Sequence, residues 1–431
     1  MRIALGCLIA VSAILAETPA YDQYGGYSAV TRKATGWFRL ERTGDRWTFI
    51  TPEGHPYVAL GANHAGKFLQ DPKQNHEILE RFGGSREKAE AAIAQAIRDL
   101  KLNAGEAYAP LLDSLKPRFP RIEDVSFPRN EKFRFDVFDP KVREEIRRHV
   151  GAKCRAFADD PWVLGVGFAD QPVWNVRRMD YFRSLPATAP GKQRYVEWLR
   201  ERYRDVKALN AAYGTNLSAL ADALAPFQAG TDLPAVRRDD PEFLAIAADS
   251  LYGLLRETVR ENTPHHLFFG EKFMLRLYPD AVLKAIGRHV DVFLTQALIL
   301  SPQRPPEWQV FQPAGYRREF ELTGGKPMIV VDWASPFSLD QTYETERGTV
   351  KNERAASEDS ARWIDAALRE PYMAGVFMCQ LIGVHGNDRW FPTGRMKRTY
   401  LRDDGTPFAA RAAKVGAAHT SALKRIYEAL R

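Results

Sequence analysis

The sequence predicts an α/β fold in which eight strands alternate with helices and close into a (β/α)8 barrel. Amphipathic helical patterns alternate with short, nearly continuous apolar runs, which is the pattern of parallel strands buried on both faces. The chain has 431 residues, enough for one large barrel domain. In such a barrel the functional residues lie at the carboxyl ends of the strands.

An antiparallel hairpin is predicted before the barrel. The segment GWFRLERTGDRWTFITPEGHPYVALGANHAG, residues 36–66, alternates apolar and polar side chains around turns at residues 44–45 and 52–54. The first barrel strand follows these turns and ends at Asn63 and His64.

Apolar runs mark the candidate barrel strands. They cover about 57–62, 102–108, 163–170, 266–271, 291–296, 327–333 and 374–380, with one poorly marked strand within 120–138. The segment 176–240 is too long for one loop and contains the helical stretch GKQRYVEWLRERYRDVKALNAAYG. We therefore expect a helical excursion over the barrel mouth after strand four.

Composition excludes several classes of protein. With 45% hydrophobic and 27% charged residues, the chain is neither disordered nor fibrous. Its net charge of +7 comes from basic residues interspersed with acids, which indicates solvated helix faces rather than a nucleic-acid surface, and an acidic polysaccharide is compatible with it. Ser335 lacks a nucleophile-elbow pattern and no Gly-rich phosphate loop occurs, so no cofactor is implied.

The first residues resemble a secretory signal peptide. Met1-Arg2 precedes an apolar run of 14 residues, Ile3 to Ala16, and small residues suited to cleavage follow at 18–20. The run is shorter than the ~20 residues that span a bilayer, although an uncleaved anchor is the alternative. We expect residues 1–20 to be removed, residues 21–431 to form a single domain, and the protein to be secreted or periplasmic, with no membrane contact afterwards.

Two cysteines lie beyond this segment, Cys154 and Cys379. They either pair with each other or stay free. Two cysteines do not make a disulfide framework or a zinc cluster, so we expect no metal site.

Six segments, in order, carry a family resemblance. They are WTFITPEGHPYVALGANH at the first strand, DDPWVLGVGFADQPVWN at the fourth, WLRERYRDVKALNAAYGT, HHLFFGEKF, GGKPMIVVDWAS at the seventh strand, and LRDDGTPF near the end. With these segments, residues 36–410 resemble the retaining glycoside hydrolase superfamily of (β/α)8 barrels, closest to the β-agarases and their β-galactosidase relatives.

The resemblance implies a catalytic arrangement from which this sequence departs. In that superfamily an Asn-Glu pair after strand four supplies a sugar-binding amide and the acid/base, and a Glu after strand seven supplies the nucleophile. Matching Trp174 to the family's loop tryptophan places Asp170 on the Asn and Gln171 on the Glu, while Asp332 takes the nucleophile's place. Both catalytic positions therefore differ.

Glycoside hydrolysis requires two carboxyl groups, one to protonate the leaving oxygen and one to attack or to activate water. Gln171 cannot donate a proton as an acid, but its amide can bind a sugar hydroxyl, and Asp170 carries the titratable group, so acid and amide look exchanged. Neighbouring side chains face opposite ways on an ideal strand, so the exchange requires a kink, for which Gly165 and Gly167 leave room. Asp332 is shorter than Glu, which widens the carboxylate gap and favours inversion over retention.

Each catalytic candidate has a structural alternative. Asp170 is also suited to capping the following turn. Asp332 closes an apolar strand, where an unused carboxylate is costly, and it is the candidate base or nucleophile. Glu271, after HHLFFG, is an alternative acid, unless it forms an ion pair with Lys272 or Arg276.

Further residues at predicted strand ends are candidates for sugar binding. Amides, imidazoles and carboxylates would bind hydroxyls, and tryptophans would stack on pyranose rings, unless they cap turns or pack in the core. The candidates are Asn63, His64, Trp174, Gln296, Trp333, Gln380, His385, Asp388 and Trp390.

The sequence thus predicts a secreted glycoside hydrolase acting on O-glycosidic bonds of a polysaccharide or oligosaccharide, galactose-containing by resemblance to agarases. The alternative is a catalytically inactive barrel of the same type that only binds carbohydrate. Geometry distinguishes the two, since hydrolysis needs a carboxyl of Asp170 or Glu271 facing Asp332 across the mouth.

Overall fold

The computed structural model describes residues 21–431 apart from 107–111, 113, 116–117, 128–134, 171, 298–309, 340–342, 346–347, 351 and 384–395. The predicted signal segment, residues 1–20, lies outside the described residues.

Cys154 and Cys379 are both buried free thiols. Among the described residues, no helix combines the length and the apolar character needed to cross a membrane.

In the described part of the chain, the strands form a closed barrel and three small sheets. In chain order they are β1 (Arg39–Thr43), β2 (Arg46–Ile50), β3 (Pro56–Tyr57), β4 (Ala59–Ala62), β5 (Ala104–Glu106), β6 (Arg121–Asp124), β7 (Val163–Asp170), β8 (Leu267–Met274), β9 (Phe293–Gln296), β10 (Met328–Trp333), β11 (Phe337–Ser338), β12 (Tyr343–Thr345), β13 (Gly348–Val350), β14 (Met373–Met378) and β15 (Met396–Lys397).

The barrel strands are parallel, in the closed order β10-β14-β4-β5-β6-β7-β8-β9. The predicted (β/α)8 fold is therefore confirmed, and the poorly marked strand is Arg121–Asp124. The hairpin is also confirmed, since β1 and β2 pair antiparallel. Tyr57 belongs to this hairpin sheet rather than to the first barrel strand, because Pro56–Tyr57 pairs with β2.

The helices occupy the segments between the strands. They are α1 (Pro72–Arg81), α2 (Arg86–Asp99), α3 (Pro140–Arg155), α4 (Val176–Ser184), α5 (Pro190–Arg202), α6 (Val206–Tyr213), α7 (Pro234–Asn262), α8 (Asp280–Gly287), α9 (Pro313–Leu322), α10 (Glu353–Arg369) and α11 (Ala409–Glu428). Asp and Asn caps accept from first-turn N–H groups, as at Asp139 and Asn352. The predicted helical excursion is α4 to α6, between β7 and α7.

Phenylalanines fill the barrel against strand glycines. An apolar cluster draws residues from all eight barrel strands and includes Phe269 and Phe377. A Cβ on Gly165 would lie 2.6 Å from the Phe269 ring, and one on Gly61 would lie closer still to the Phe377 ring. These glycines are thus required by close packing, and the cluster closes the barrel interior beneath its carboxyl-terminal mouth.

Candidate active site

Asp332, at the end of β10, is the centre of a polar group in the barrel mouth. The residue is only 4% exposed. Asn63 donates a hydrogen bond from Nδ2 to its Oδ1. Lys272 Nζ lies 2.9 Å and Gln296 Nε2 lies 3.0 Å from its Oδ2. Side chains from the ends of four barrel strands therefore meet at one carboxylate.

The electrostatics of this group favour an ionised Asp332. Burial alone would raise the pKa of its carboxyl group, because a low-dielectric surrounding penalises charge. The Lys272 ammonium, the nearby His64 and the hydrogen bonds from Lys272 and Asn63 outweigh burial and hold the pKa below its usual range. The site therefore contains a buried carboxylate that is charged at neutral pH.

Backbone geometry fixes the positions of these side chains. Asn63 N–H donates to Met378 O at 2.8 Å, and Cys379 N–H donates to Trp333 O at 2.9 Å. His64 and Asp332 have φ values of 59° and 57°, in the left-handed region that non-glycine residues seldom adopt. Such conformations cost roughly 1–3 kcal/mol each and cluster at functional sites.

Glu271 has a different environment from its neighbour Lys272. It is 1% exposed, and its carboxylate accepts a hydrogen bond from the hydroxyl of Tyr252 on α7. Lys272 reaches Asp332 instead. Lys272, one of the two ion-pair partners considered for Glu271 beside Arg276, thus forms an ion pair with Asp332.

The strand-four positions are described in part. Asp170 is the last residue of β7, and its backbone pairs with Lys272. The pairing of β7 with β8 is irregular between Gly167 and Asp170, at the place where the exchange of acid and amide requires a kink. Gln171 lies outside the described residues, so the exchange stays a prediction.

Two of the tryptophan candidates pack inside the protein. Trp174 is 2% exposed, with the Arg178 guanidinium 5.0 Å from its ring centroid. Trp333 is 1% exposed and stacks on Trp363 of α10, with centroids 4.4 Å apart. A sugar ring would have to displace these contacts in order to stack there.

The candidates after strand eight are described only at Gln380, which is buried directly after β14 and Cys379. His385, Asp388 and Trp390 lie outside the described residues.

Two residues of the site were not among the sequence-based candidates, Lys272 and Cys379. A lysine in a run as apolar as LFFGEKFM is itself a signal, since lysine is almost never fully buried unless it is paired. Cys379 lies next to the end of the predicted strand 374–380, so the sequence already placed it near the barrel mouth.

Comparisons with known proteins agree with this architecture. No family model matches the chain. The β-agarase B of Vibrio sp. (strain JT0107) is 20% identical over 363 residues, which cover 64% of this chain and 38% of that protein. The chain therefore corresponds to well under half of the length of that curated relative.

Solved structures resemble the whole described fold. An agarase, AgWH50C, superposes with a TM-score of 0.78 at 17% identity, covering 94% of this chain and 68% of that one. An exo-β-agarase gives a TM-score of 0.78 at 16% identity, over 95% and 68% of the two chains. A β-galactosidase from Halorubrum lacusprofundi gives 0.57 at 14% identity, over 85% and 58%. The chain thus has the (β/α)8 barrel fold of glycoside hydrolases, and the predicted resemblance to agarases and β-galactosidases is confirmed.

Proposed function

We propose that the protein is a glycoside hydrolase that acts on O-glycosidic bonds of a polysaccharide or oligosaccharide, with Asp332 as base or nucleophile. The observation that carries the proposal is the charged carboxylate of Asp332 at the end of strand seven, held by Lys272, Asn63 and Gln296. A carboxylate fixed in its ionised form at the barrel mouth is suited to attack a sugar carbon or to activate water. The names of the agarase relatives support a galactose-containing glycan.

The second carboxyl group is assigned to Asp170. It ends strand four, and its backbone pairs with Lys272, which in turn holds Asp332. Glu271 is the weaker candidate, because Tyr252 on the helical layer already bonds its carboxylate. Gln171 would supply the amide that binds a sugar hydroxyl.

A carbohydrate-binding barrel without catalysis is the second candidate. The observation that favours it is the number of donors on Asp332, since Oδ1 accepts from Asn63 while Oδ2 accepts from Lys272 and Gln296. A carboxylate with so many donors is a weaker nucleophile than one with few, because each hydrogen bond stabilises its charge.

The direct test is a panel of neutral and acidic polysaccharides. Release of reducing ends and binding to immobilised glycan are measured together for each member. Hydrolysis of an agar-type or other galactan supports the proposal, binding without product supports the second candidate, and neither effect on any member contradicts both.

Changes at Asp170 and Gln171 test the assignment of the acid. We expect Asp170→Asn to abolish product release, and the double change Asp170→Asn with Gln171→Glu to restore part of it, because the pair then has the family's Asn-Glu order. The measurement is the rate for all four combinations on the best substrate of the panel. An Asp170→Asn variant as active as the wild type would transfer the acid to Glu271. An inactive wild type that gains slow hydrolysis from Gln171→Glu alone would mean that the acid has been lost.

We also propose export and a single mature domain, residues 21–431. Cleavage is expected within residues 16–20, after the charged start and the 14-residue apolar run. Mass spectrometry of the exported protein identifies its N-terminus, and an intact Met1 there would contradict cleavage.

A further inference from the structure

His64, Asp332 and Cys379 form a mixed group of potential metal ligands in the barrel mouth. One imidazole nitrogen, one carboxylate oxygen and one sulfur all lie within 4.8 Å of one another. We propose that these three residues bind a divalent ion of the zinc class.

The barrel itself brings the three ligands together. They belong to the ends of β10, β14 and β4, which are consecutive in the barrel order. Cys379 N–H donates to Trp333 O at 2.9 Å, next to Asp332, and Leu381 N–H donates to Asn63 O at 3.0 Å, next to His64. The backbones that carry the ligands are therefore held by hydrogen bonds before any ion arrives, which lowers the cost of ordering the site.

The distances suit a small ion. Zinc binds sulfur at about 2.3 Å and nitrogen or oxygen at about 2.0–2.2 Å, so tetrahedral ligand atoms lie roughly 3.3–3.8 Å apart. Starting from separations of at most 4.8 Å, contraction by about 1 Å is within the reach of side-chain rotation. His64 is half-buried, so the group is open on the side of the mouth.

The Cys379 sulfur lies beside the Asp332 carboxylate, within 4.8 Å of it. On binding, the thiol proton leaves for solvent, and the ion bridges the sulfur and the carboxylate in its place. Asn63, Lys272 and Gln296 keep their bonds to Asp332, because a carboxylate offers about four acceptor positions.

The ligand set selects the kind of ion. Calcium takes six to eight oxygen ligands, and magnesium retains water around one or two carboxylates. Here the three ligands supply only one carboxylate, which is too few oxygens for hard cations, whereas sulfur and imidazole suit zinc or cobalt.

Cobalt(II) is the probe, because a cobalt–thiolate bond gives a near-ultraviolet charge-transfer band. The full mature chain, freed of metal with a chelator, is titrated with Co²⁺, then with Zn²⁺, Ca²⁺ or Mg²⁺. We expect a thiolate band that saturates at one ion per chain, is displaced by Zn²⁺ and is unaffected by Ca²⁺ or Mg²⁺. The band is measured without substrate, so its absence overturns the metal site and leaves the proposed hydrolysis untouched. A bound ion would occupy the Asp332 carboxylate, so the catalytic role of Asp332 belongs to the metal-free protein.

Variants locate the ion. Cys379→Ser should abolish the band, and His64→Gln should weaken Co²⁺ binding by roughly tenfold or more. Cys154→Ser is the matched control, since this other buried thiol lies on α3 and should leave the band unchanged. Asp22, Glu53 and His55 form a second potential ligand group, which has no sulfur, and His55→Gln should likewise leave the band unchanged.

Circular dichroism confirms that each variant is folded, and His64→Gln tests the site independently if Cys379→Ser does not fold. A wild type without the thiolate band, a band that survives Cys379→Ser, or binding unaffected by His64→Gln would overturn the proposal.

Discussion

Replacing Asp332 with asparagine is expected to lower any hydrolysis measured on the best glycan by about 100-fold or more, which corresponds to roughly 2.7 kcal/mol of lost transition-state stabilisation. Asparagine keeps the shape of the side chain but carries no charge to attack the sugar carbon or to activate water. The measurement is kcat/KM for product release. Rates close to those of the wild type would remove Asp332 from the mechanism.

The same change also affects the fold, because Lys272 is 1% exposed and its ammonium lies 2.9 Å from the Asp332 carboxylate. The neutral amide would leave a buried ammonium without its counterion. The control is therefore the double change Asp332→Asn with Lys272→Met, which removes both charges. If the double variant has the same urea midpoint of unfolding as the wild type and still releases no product, the loss of activity comes from the missing carboxylate and not from unfolding.

The strands and their ends could be predicted because apolar runs of strand length are visible in sequence. What could not be predicted is whether a side chain at a strand end points into the barrel or outward to the helices. Val331 packs in the barrel interior. Successive side chains on a strand face opposite ways, so strict alternation would direct the next residue, Asp332, outward. The left-handed backbone of Asp332, at φ 57°, breaks this alternation. Asp332 therefore faces the mouth, and Trp333 stacks outward on Trp363.

The same reversal explains why Glu271 was a plausible acid in the sequence. Phe269 belongs to the barrel interior, and alternation would place Glu271 on the same side. Gly270 adopts a φ of 71°, and the residues beyond it change sides. Glu271 consequently meets Tyr252, and Lys272 meets Asp332. A local backbone conformation of this kind depends on the neighbouring strands, and no periodicity in the sequence records it.

Replacing Lys272 with methionine is expected to lower the free energy of unfolding by about 3–5 kcal/mol at pH 7, since removing one partner of a buried ion pair leaves the other charge uncompensated. Adding Asp332→Asn should restore most of this loss, because the second change removes the stranded carboxylate. Urea unfolding followed by circular dichroism measures all four members of this cycle. A single variant within about 1 kcal/mol of the wild type would show that the pair contributes little.

The pH dependence of that loss has a defined sign. In the wild type the pKa of Asp332 is depressed, so its contribution to stability is present above the unfolded pKa of about 3.9 and is lost as the pH falls through the folded value. Without Lys272, we expect burial, which raises the pKa of Asp332 and is the largest contribution to it, to dominate, although the charge of His64 opposes the rise. The Lys272→Met variant should therefore recover stability relative to the wild type as the pH falls from 7 toward the unfolded pKa of about 3.9, because its carboxyl group takes up a proton, whereas the double variant should show no such recovery. A deficit that stays constant over this range would mean that the carboxylate remains charged without Lys272, and would assign its ionisation to His64 and Asn63 instead.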